Sequence, residues 1–432
     1  MYKATGDLDF YPNEISFNSA INCWSSEAET EPTAARRAEL LVTRMKSLHK
    51  EKNSGTQNCA RKKLKPNART WNAVMMAYVN SGADNTVSRC DNILTNELEN
   101  AYIDTGDKAF RPDAFSYCIA IQAAGTKGAS YLQGRGYDIL DSLLSSSIPP
   151  ERAAFNSIIL TLAKNECLKK AEDCLNHLVQ SYKSGVKSAK PDMTSFTTIT
   201  IAYAKQGKPL EAEKILEQLE ELYATTKERR LRPSTTIYNT IIDAWAKSNE
   251  ENSALRAHSI LKNMKNMTDA LIRPDEVSYS GVINAYGRSN NPKAAEALLE
   301  EIESGVVKFV KPNTVIMNCV IDAWAKTNET DRFYAAQRAE AILERMEQES
   351  ASNLLIKPDK ISYTSVLNGE RLTLFQNYFL VFCSVSRISA SLISMHSLNF
   401  HYFCCTRSQL GLMLQPPMML LLLIGRKIYC ST

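Results

Sequence analysis

The sequence lacks the residue patterns of most metal and catalytic sites. Its 11 cysteines include no C-x-x-C pair, and its five histidines include no HxxxH or HExxH spacing. Zinc sites and metalloprotease sites need such spacings, so neither is predicted. A nucleotide-binding loop of the form GxxxxGK[ST] and a nuclease-like cluster of aspartates are missing as well. We therefore expect no enzyme activity, no catalytic residues, no metal, no cofactor and no small-molecule substrate.

The sequence also lacks the signals that place a protein outside the cell or in a membrane. Cysteines are too sparse for a disulfide scaffold, which predicts reduced thiols inside a cell or organelle. The opening MYKATGDLDFYPNE has neither the apolar core of a signal peptide nor a transit-peptide composition. The longest charge-free run of the C-terminal part, Ile388 to Thr406, contains histidine, asparagine and several serines, so no membrane span is predicted.

Basic and acidic residues are balanced over most of the chain. The formal net charge is +4, but residues 370–432 carry five basic residues and one acidic residue. That leaves 46 basic and 46 acidic residues in 1–369. A neutral body excludes a protein that holds polyanions by bulk charge alone.

What the sequence does contain is a recurring phrase. IYNTIIDAWAKS begins at Ile237, and IMNCVIDAWAKT begins at Ile316. A marker that in most copies reads basic-Pro-polar precedes such phrases, and nine marker prolines follow one another at intervals of 38 to 54 residues. Nine starts at this period predict a solenoid of repeats instead of unrelated domains.

Each unit has the pattern of a helical hairpin. Apolar residues recur at i, i+3, i+4 and i+7 in a first helix, and a second helix such as EAEKILEQLEEL follows a polar stretch. The proline ends the unit because it cannot continue a helix. One hairpin cannot bury its apolar face alone, so an all-α fold of stacked hairpins is predicted. The predicted core tryptophans are Trp24, Trp245 and Trp324.

These units resemble pentatricopeptide repeats. They open with x-x-[ST]-[YF]-N-x-[LIV]-I-x-[AG]-[YW]-x-[KR] and close with [KR]-P-[DN], and the resemblance covers residues 12–368. It implies a right-handed superhelical α-solenoid over residues 1–369, with lengthened loops at surface positions. The implied unit starts lie near residues 14, 68, 114, 152, 193, 235, 276, 314 and 360, and the last unit is truncated.

The resemblance implies sequence-selective binding of single-stranded RNA, without catalysis, in RNA processing, stability or translation. The fifth residue of a unit and its last residue would together read one base. Asn with Asp resembles a uridine reader, Ser280 with Asn313 an adenine reader, and Asn18 with Asn67 a pyrimidine reader. The implied sequence, 5′ to 3′, is pyrimidine-U-n-U-n-U-A-U. The implied base-reading residues are Asn18, Asn67, Asn72, Asp113, Asn156, Asp192, Thr197, Ser234, Asn239, Asp275, Ser280, Asn313, Asn318 and Asp359.

Two further rows belong to this interpretation. The second residue of each unit would stack between bases, and its bulky apolar members are Ile15, Phe115, Val277, Val315 and Ile361. Phosphate contacts would come from Lys164, Lys205, Lys247, Arg288 and Lys326. The phosphate-contact and base-reading assignments have structural alternatives. Basic residues near the end of a helix suit its dipole, and Asn, Ser and Thr in a first turn are common local caps.

Two other classes of function stay open. An α-solenoid of tetratricopeptide type would bind proteins, but it would not need Asn, Ser or Thr at the fifth position of so many units. The RNA-binding part of a protein-only RNase P-like enzyme would need a nuclease domain beyond this chain. The resemblance favours a mitochondrion or plastid and admits protein partners besides RNA.

Both ends of the repeat pattern are irregular. No polar cap is visible before Tyr11, which predicts that the N-terminus is incomplete. After PDKISYTSVLNG the phrase breaks into ERLTLFQNYFLVFCSVSRIS. Gly-Glu-Arg at 369–371 can be encoded with an intron donor site, and QLGLMLQPPMM can be read one frame over as a sequence that begins AWA. We predict that residues 370–432 come from a retained intron and a frameshift; genomic DNA without splice sites there would contradict this.

Overall fold

The computed structural model describes residues 12–50, 64–267, 272–305, 307, 310–327, 332–350 and 353–369. The chain divides at residue 369, and all described residues lie in the part Met1–Gly369. The predicted tail and its proposed origin therefore lie outside the described residues. Within the described ranges, every helix is too short or too polar to cross a membrane.

The described residues form helical hairpins, which we number as units one to nine; each has a first helix and a second helix. The first helices of units one to eight are Glu14–Glu27, Ala68–Ser81, Ala114–Thr126, Arg152–Lys164, Met193–Lys205, Thr235–Lys247, Glu276–Arg288 and Thr314–Ala325. Unit nine begins with a helix over 360–369. The second helices of units one and four to eight are Ala34–Lys50, Leu168–Lys183, Pro209–Thr226, Ser253–Asn266, Pro292–Glu303 and Arg332–Ser350.

Units two and three have interrupted second helices, which the sequence periodicity does not predict. In unit two, Thr86–Asn92 continues through the π-helical segment Ile93–Asn100 into Ala101–Thr105. In unit three, Ala129–Tyr131 and Tyr137–Ser145 flank a π-helical segment, Leu132–Gly136, that contains a non-helical Gly134. Short 3-10 turns precede four of the later unit boundaries: Lys108–Phe110, Lys187–Ala189, Arg229–Leu231 and Leu354–Ile356.

The residue after a marker proline is the N-cap of the next first helix, as Asp275 is for Glu276–Arg288. The Asp275 carboxylate accepts a hydrogen bond from the backbone N–H of Ser278, and the Ser278 hydroxyl accepts one from the backbone N–H of Asp275. This reciprocal capping box satisfies helix N–H groups that have no partner inside the helix. Capping boxes start five first helices, at Asn67, Asp113, Asp192, Asp275 and Asp359. Glu151 and Ser234, at the same position, make no side-chain cap bond.

Packing joins the hairpins into one continuous core. First helices pack against the first helices of neighbouring units, and in most units the second helix contacts the first helix of its own unit and of the next. The predicted apolar stripe of unit six is buried; its members are Tyr238, Ile241, Ile242 and Trp245. The core cluster runs from Ile21 to Val366. The described residues thus form the predicted α-solenoid.

The prediction for Trp24 is wrong in part. Trp245 and Trp324 are 1 % exposed, whereas Trp24 is half-buried, with the Arg37 guanidinium 4.7 Å from its ring centre. Within the described residues no unit precedes unit one. Trp245 and Trp324 donate to glutamates of the preceding second helix, Glu213 and Glu296, and the described residues contain no such helix before Trp24.

Candidate functional site

The candidate site lies on one face of the first helices. In each first helix, positions two, five, nine and thirteen are separated by three or four residues. Side chains at such spacings share one helix face, and we call this face, repeated along the units, the reading face. In unit six it carries Thr236, Asn239, Asp243 and Lys247.

Four asparagines at position five contact the aspartate that caps the following unit. The Asn239 amide donates to Asp275 Oδ1 at 3.0 Å, and Asn72 donates to Asp113 Oδ1 at 3.0 Å. The other two pairs, Asn156–Asp192 and Asn318–Asp359, are each joined at 3.1 Å. The structure thus brings together all four pairs that were predicted to read uridine, although their members lie 36 to 41 residues apart.

Serines outside the predicted base-reading set complete three of these pairs. The Ser278 hydroxyl donates to Asn239 Oδ1 at 2.6 Å. Ser195 and Ser362 donate at the same distance to Asn156 and Asn318. The Asp-x-x-Ser spacing, which is the spacing of a capping box, is the sequence signal that identifies them. In the remaining pair, the Asn72 carbonyl oxygen is buried and has no partner within the described part of the chain.

These contacts leave a defined pair of polar groups for a ligand. Asp275 uses Oδ1 for Asn239 and for the helix cap, and its Oδ2 makes no hydrogen bond within the described residues. Asn239 uses one of its two amide hydrogens, so one donor is left beside one acceptor. In the equivalent Asp359, backbone N–H donation by Ser362 lowers the pKa of the carboxyl, so it is ionised at neutral pH.

The other predicted pairs do not hydrogen-bond to each other within the described residues. The Asn67 amide donates instead to Glu14 at 2.6 Å, and Asn18 is linked to Asn67 only through Thr70. Two of the remaining hydroxyls bond to their own helices: Ser280 donates to the carbonyl of Val277 and Thr197 to that of Met193. In the partner position of Ser280, the Asn313 oxygen accepts from the backbone N–H of Ile316.

The two other predicted rows also lie on the reading face. Apolar side chains at position two are exposed, from 39 % at Phe115 to 74 % at Ile15; Val277, Val315 and Ile361 are 60 to 62 % exposed. All five predicted basic residues at position thirteen are exposed. Two of them are paired within their own helix, Lys247 with Asp243 at 2.7 Å and Lys326 with Asp322 at 2.6 Å.

The basic residues of units six to eight line an open cleft of 810 Å³. Lys247, Arg288 and Lys326 contribute to its walls together with Asn284 and Ser248. Among the described residues no group of three or more His, Cys, Asp or Glu side chains is arranged to hold a metal ion. Asp243, Asp322, Glu250 and Glu251 line the same cleft, so it carries charged groups of both signs.

Ser278 gives a stability prediction for this site. Replacing it with alanine leaves Asn239 Oδ1 and the backbone N–H of Asp275 without their partner in a fully buried position. We expect Ser278→Ala to lower the free energy of unfolding by about 1–2 kcal/mol. Urea titration followed by circular dichroism measures this. Ser259→Ala, at an exposed position on the second helix of the preceding unit, is the control and should stay within about 0.5 kcal/mol; equal effects would contradict a capping role.

Comparisons with known proteins agree with the repeat pattern. A family model described as Pentatricopeptide repeat domain matches residues 185–248, and one described as PPR repeat matches residues 277–305. In Arabidopsis thaliana, pentatricopeptide repeat-containing protein At3g53170 is 28 % identical over 161 residues, which cover 37 % of this chain and 32 % of the relative. At5g25630 is 23 % identical over 232 residues, 53 % of this chain and 37 % of that protein.

A third relative from Arabidopsis thaliana, At3g06430, chloroplastic, is 23 % identical over 33 % of this chain and 26 % of its own length. The chain thus spans about a third of the length of the curated relatives it matches. Among solved structures, the pentatricopeptide repeat protein PPR10 from maize aligns with 90 % of this chain and 55 % of its own, at 19 % identity and a TM-score of 0.35. PPR10 has also been solved in complex with an 18-nt psaJ RNA element, with a TM-score of 0.30 to this chain at 17 % identity and coverage of 85 % and 49 %.

The family assignment rests on the repeats themselves. The two matching family models cover parts of units four to seven, the three relatives carry the family's name, and the opening and closing motifs recur through the described units. The chain belongs to the pentatricopeptide repeat proteins.

Proposed function

We propose that this chain binds single-stranded RNA in a sequence-selective way through its reading face. The observation that carries the proposal is the donor and acceptor left by the Asn239–Asp275 pair. The Watson–Crick edge of uracil presents one N–H donor between two carbonyl acceptors. Asp275 Oδ2 can accept from that N–H while the free amide hydrogen of Asn239 donates to a carbonyl, so the pair complements uridine.

The neighbouring rows supply the other contacts that an RNA strand needs. Exposed apolar residues at position two, such as Val277 and Val315, provide surfaces on which bases can rest. Exposed basic residues at position thirteen, such as Lys205 and Arg288, provide charges for phosphates. Because the body of the protein is close to neutral, affinity in this proposal comes from hydrogen bonds and apolar contacts more than from bulk charge.

The proposed role is that of a scaffold in RNA processing, stability or translation, without a catalytic step of its own. Its compartment in this proposal is a plastid or mitochondrion, supported by the chloroplastic name of At3g06430. Subcellular fractionation of the source tissue, followed by detection with an antibody to this chain, tests the compartment. Recovery only in the cytosol would contradict it.

The binding proposal is tested by fluorescence anisotropy with the full chain at near-physiological salt. The ligands are the single-stranded RNA CUAUAUAU, its scrambled version and the DNA equivalent. We expect selective binding of the first, weakened about tenfold by Asn239→Ala because one base-reading donor is lost. Asn263→Ala removes the same side chain from an exposed position on the second helix of unit six, and it should leave affinity unchanged.

Two results would overturn the proposal. Equal and strongly salt-dependent binding of all three ligands would reduce the interaction to phosphate electrostatics. Lack of binding by a folded helical protein would favour the alternative of a protein-binding solenoid of tetratricopeptide type.

A further inference from the structure

Units four and five carry a cleft that differs in character from the rest of the reading face. Leu160 and Ile201 occupy position nine of their first helices and are 45 % and 37 % exposed. Together with Ala163 and Ala202 they line a cleft of 490 Å³. Large aliphatic side chains that are exposed together in a cleft indicate a binding site.

Position nine is polar in most other units. It holds asparagine, glutamine or aspartate in six of the other first helices: Asn22, Gln122, Asp243, Asn284, Asp322 and Asn368. In units six and eight that acid pairs with the lysine four residues later. In units four and five the residues four positions before Lys164 and Lys205 are Leu160 and Ile201. These two lysines, which line the same cleft, therefore have no acid at that position.

The usual reading contacts are weakened in these same units. Arg152 lies 3.2 Å from Asp192 Oδ2, the oxygen that is left free in Asp275. Position two holds Ala153 and Thr194, which offer little surface for a base. Unit four thus has neither the free acceptor seen in Asp275 nor a bulky apolar residue at position two, and unit five lacks the latter.

We infer that the cleft between units four and five binds one nucleotide of the RNA strand in a mode of its own. The base or ribose lies on Leu160 and Ile201, and the adjoining phosphate lies between the ammonium groups of Lys164 and Lys205. Glu166 also lines the cleft, so its net charge is one positive unit, which suits a single phosphate. This inference rests on the proposed RNA-binding function and adds a base-tolerant anchor to it, because an aliphatic surface accepts any base.

The test combines a protein variant with a modified RNA. Leu160→Asn with Ile201→Asn gives the cleft the polar character of the other units, and both side chains are already exposed. The RNA is CUAUAUAU, either intact or with an abasic ribose at the fourth or the fifth nucleotide, the two that face these units. We expect the double variant to bind intact RNA about tenfold more weakly than the original chain. We also expect the abasic site to weaken binding by the original chain and to have little further effect on the variant.

A matched control separates this site from general loss of apolar surface. Leu210→Asn changes an exposed leucine of similar exposure, 39 %, on the second helix of unit five, and it should leave RNA affinity unchanged. If the double variant binds as tightly as the original chain, or responds equally to the abasic site, the inference is overturned while selective binding through Asn239 stands. If the original chain does not bind RNA, the proposed function fails first and the inference fails with it.

Discussion

Asp275→Asn should change the base preferred at the sixth nucleotide from uridine to cytidine. Asp275 Oδ1 accepts from the Asn239 amide at 3.0 Å and from the Ser278 backbone N–H at 2.9 Å. An asparagine at 275 must keep its one oxygen in this position, because the backbone N–H and the amide both need an acceptor. Its outward group then becomes an NH₂ donor. N3 of uracil carries a hydrogen, whereas N3 of cytosine is an acceptor, so the preferred base changes.

The measurement is a titration of both proteins against CUAUAUAU and CUAUACAU. If one reading contact contributes about a tenfold preference in each direction, the ratio of the two affinities changes about a hundredfold. Asp359→Asn is the matched control, since the same substitution in the last complete pair should alter the preference at the eighth nucleotide and leave the sixth unchanged. A folded Asp275→Asn protein that still prefers uridine at the sixth nucleotide would exclude direct reading by this pair.

The helix starts at this site can be predicted from the sequence, whereas the contacts between neighbouring hairpins cannot. The proline marker and the capping residue after it are local signals, so the start of a first helix such as Glu276–Arg288 can be predicted from a few residues. The contact between Ser278 and Asn239 joins residues 39 positions apart, and it depends on how two hairpins stack. Hydrophobic periodicity carries no information about such a polar contact.

Individual units also differ in polar contacts that the repeat pattern does not predict. Asn156 and Asn239 occupy the same position of their units, yet Arg152 engages the partner aspartate of the first, whereas unit six has Thr235 in the place of that arginine. The periodicity also gave no indication of the π-helical segments in units two and three, because a π turn keeps the apolar face and adds one residue locally. One pairing rule applied to all units would therefore overestimate how similar their Asn–Asp pairs are.

The largest effect on stability is expected from Trp324→Ala. The Trp324 side chain is 1 % exposed, and its indole N–H donates to the Glu296 carboxylate at 3.0 Å. Glu296, itself 7 % exposed in unit seven, also accepts from Arg338 in the second helix of unit eight. Tyr334 meets the indole edge to face, with ring centres 5.7 Å apart. Truncation thus leaves a cavity and removes a contact that ties unit seven to unit eight.

Removing a buried aromatic side chain costs about 3–5 kcal/mol of unfolding free energy. In a repeat array each unit contacts mainly its neighbours, so this loss should be concentrated in units seven to nine. Hydrogen exchange should show faster exchange in Glu276–Arg288 and Thr314–Ala325 than in Ala68–Ser81, while urea unfolding reports the total loss. The half-buried Trp24 is the control, and Trp24→Ala should cost clearly less because solvent already reaches its ring. Equal losses for the two variants would show that the interface between units seven and eight contributes no more stability than the half-buried Trp24. Uniform exchange along the chain would show that all units unfold together.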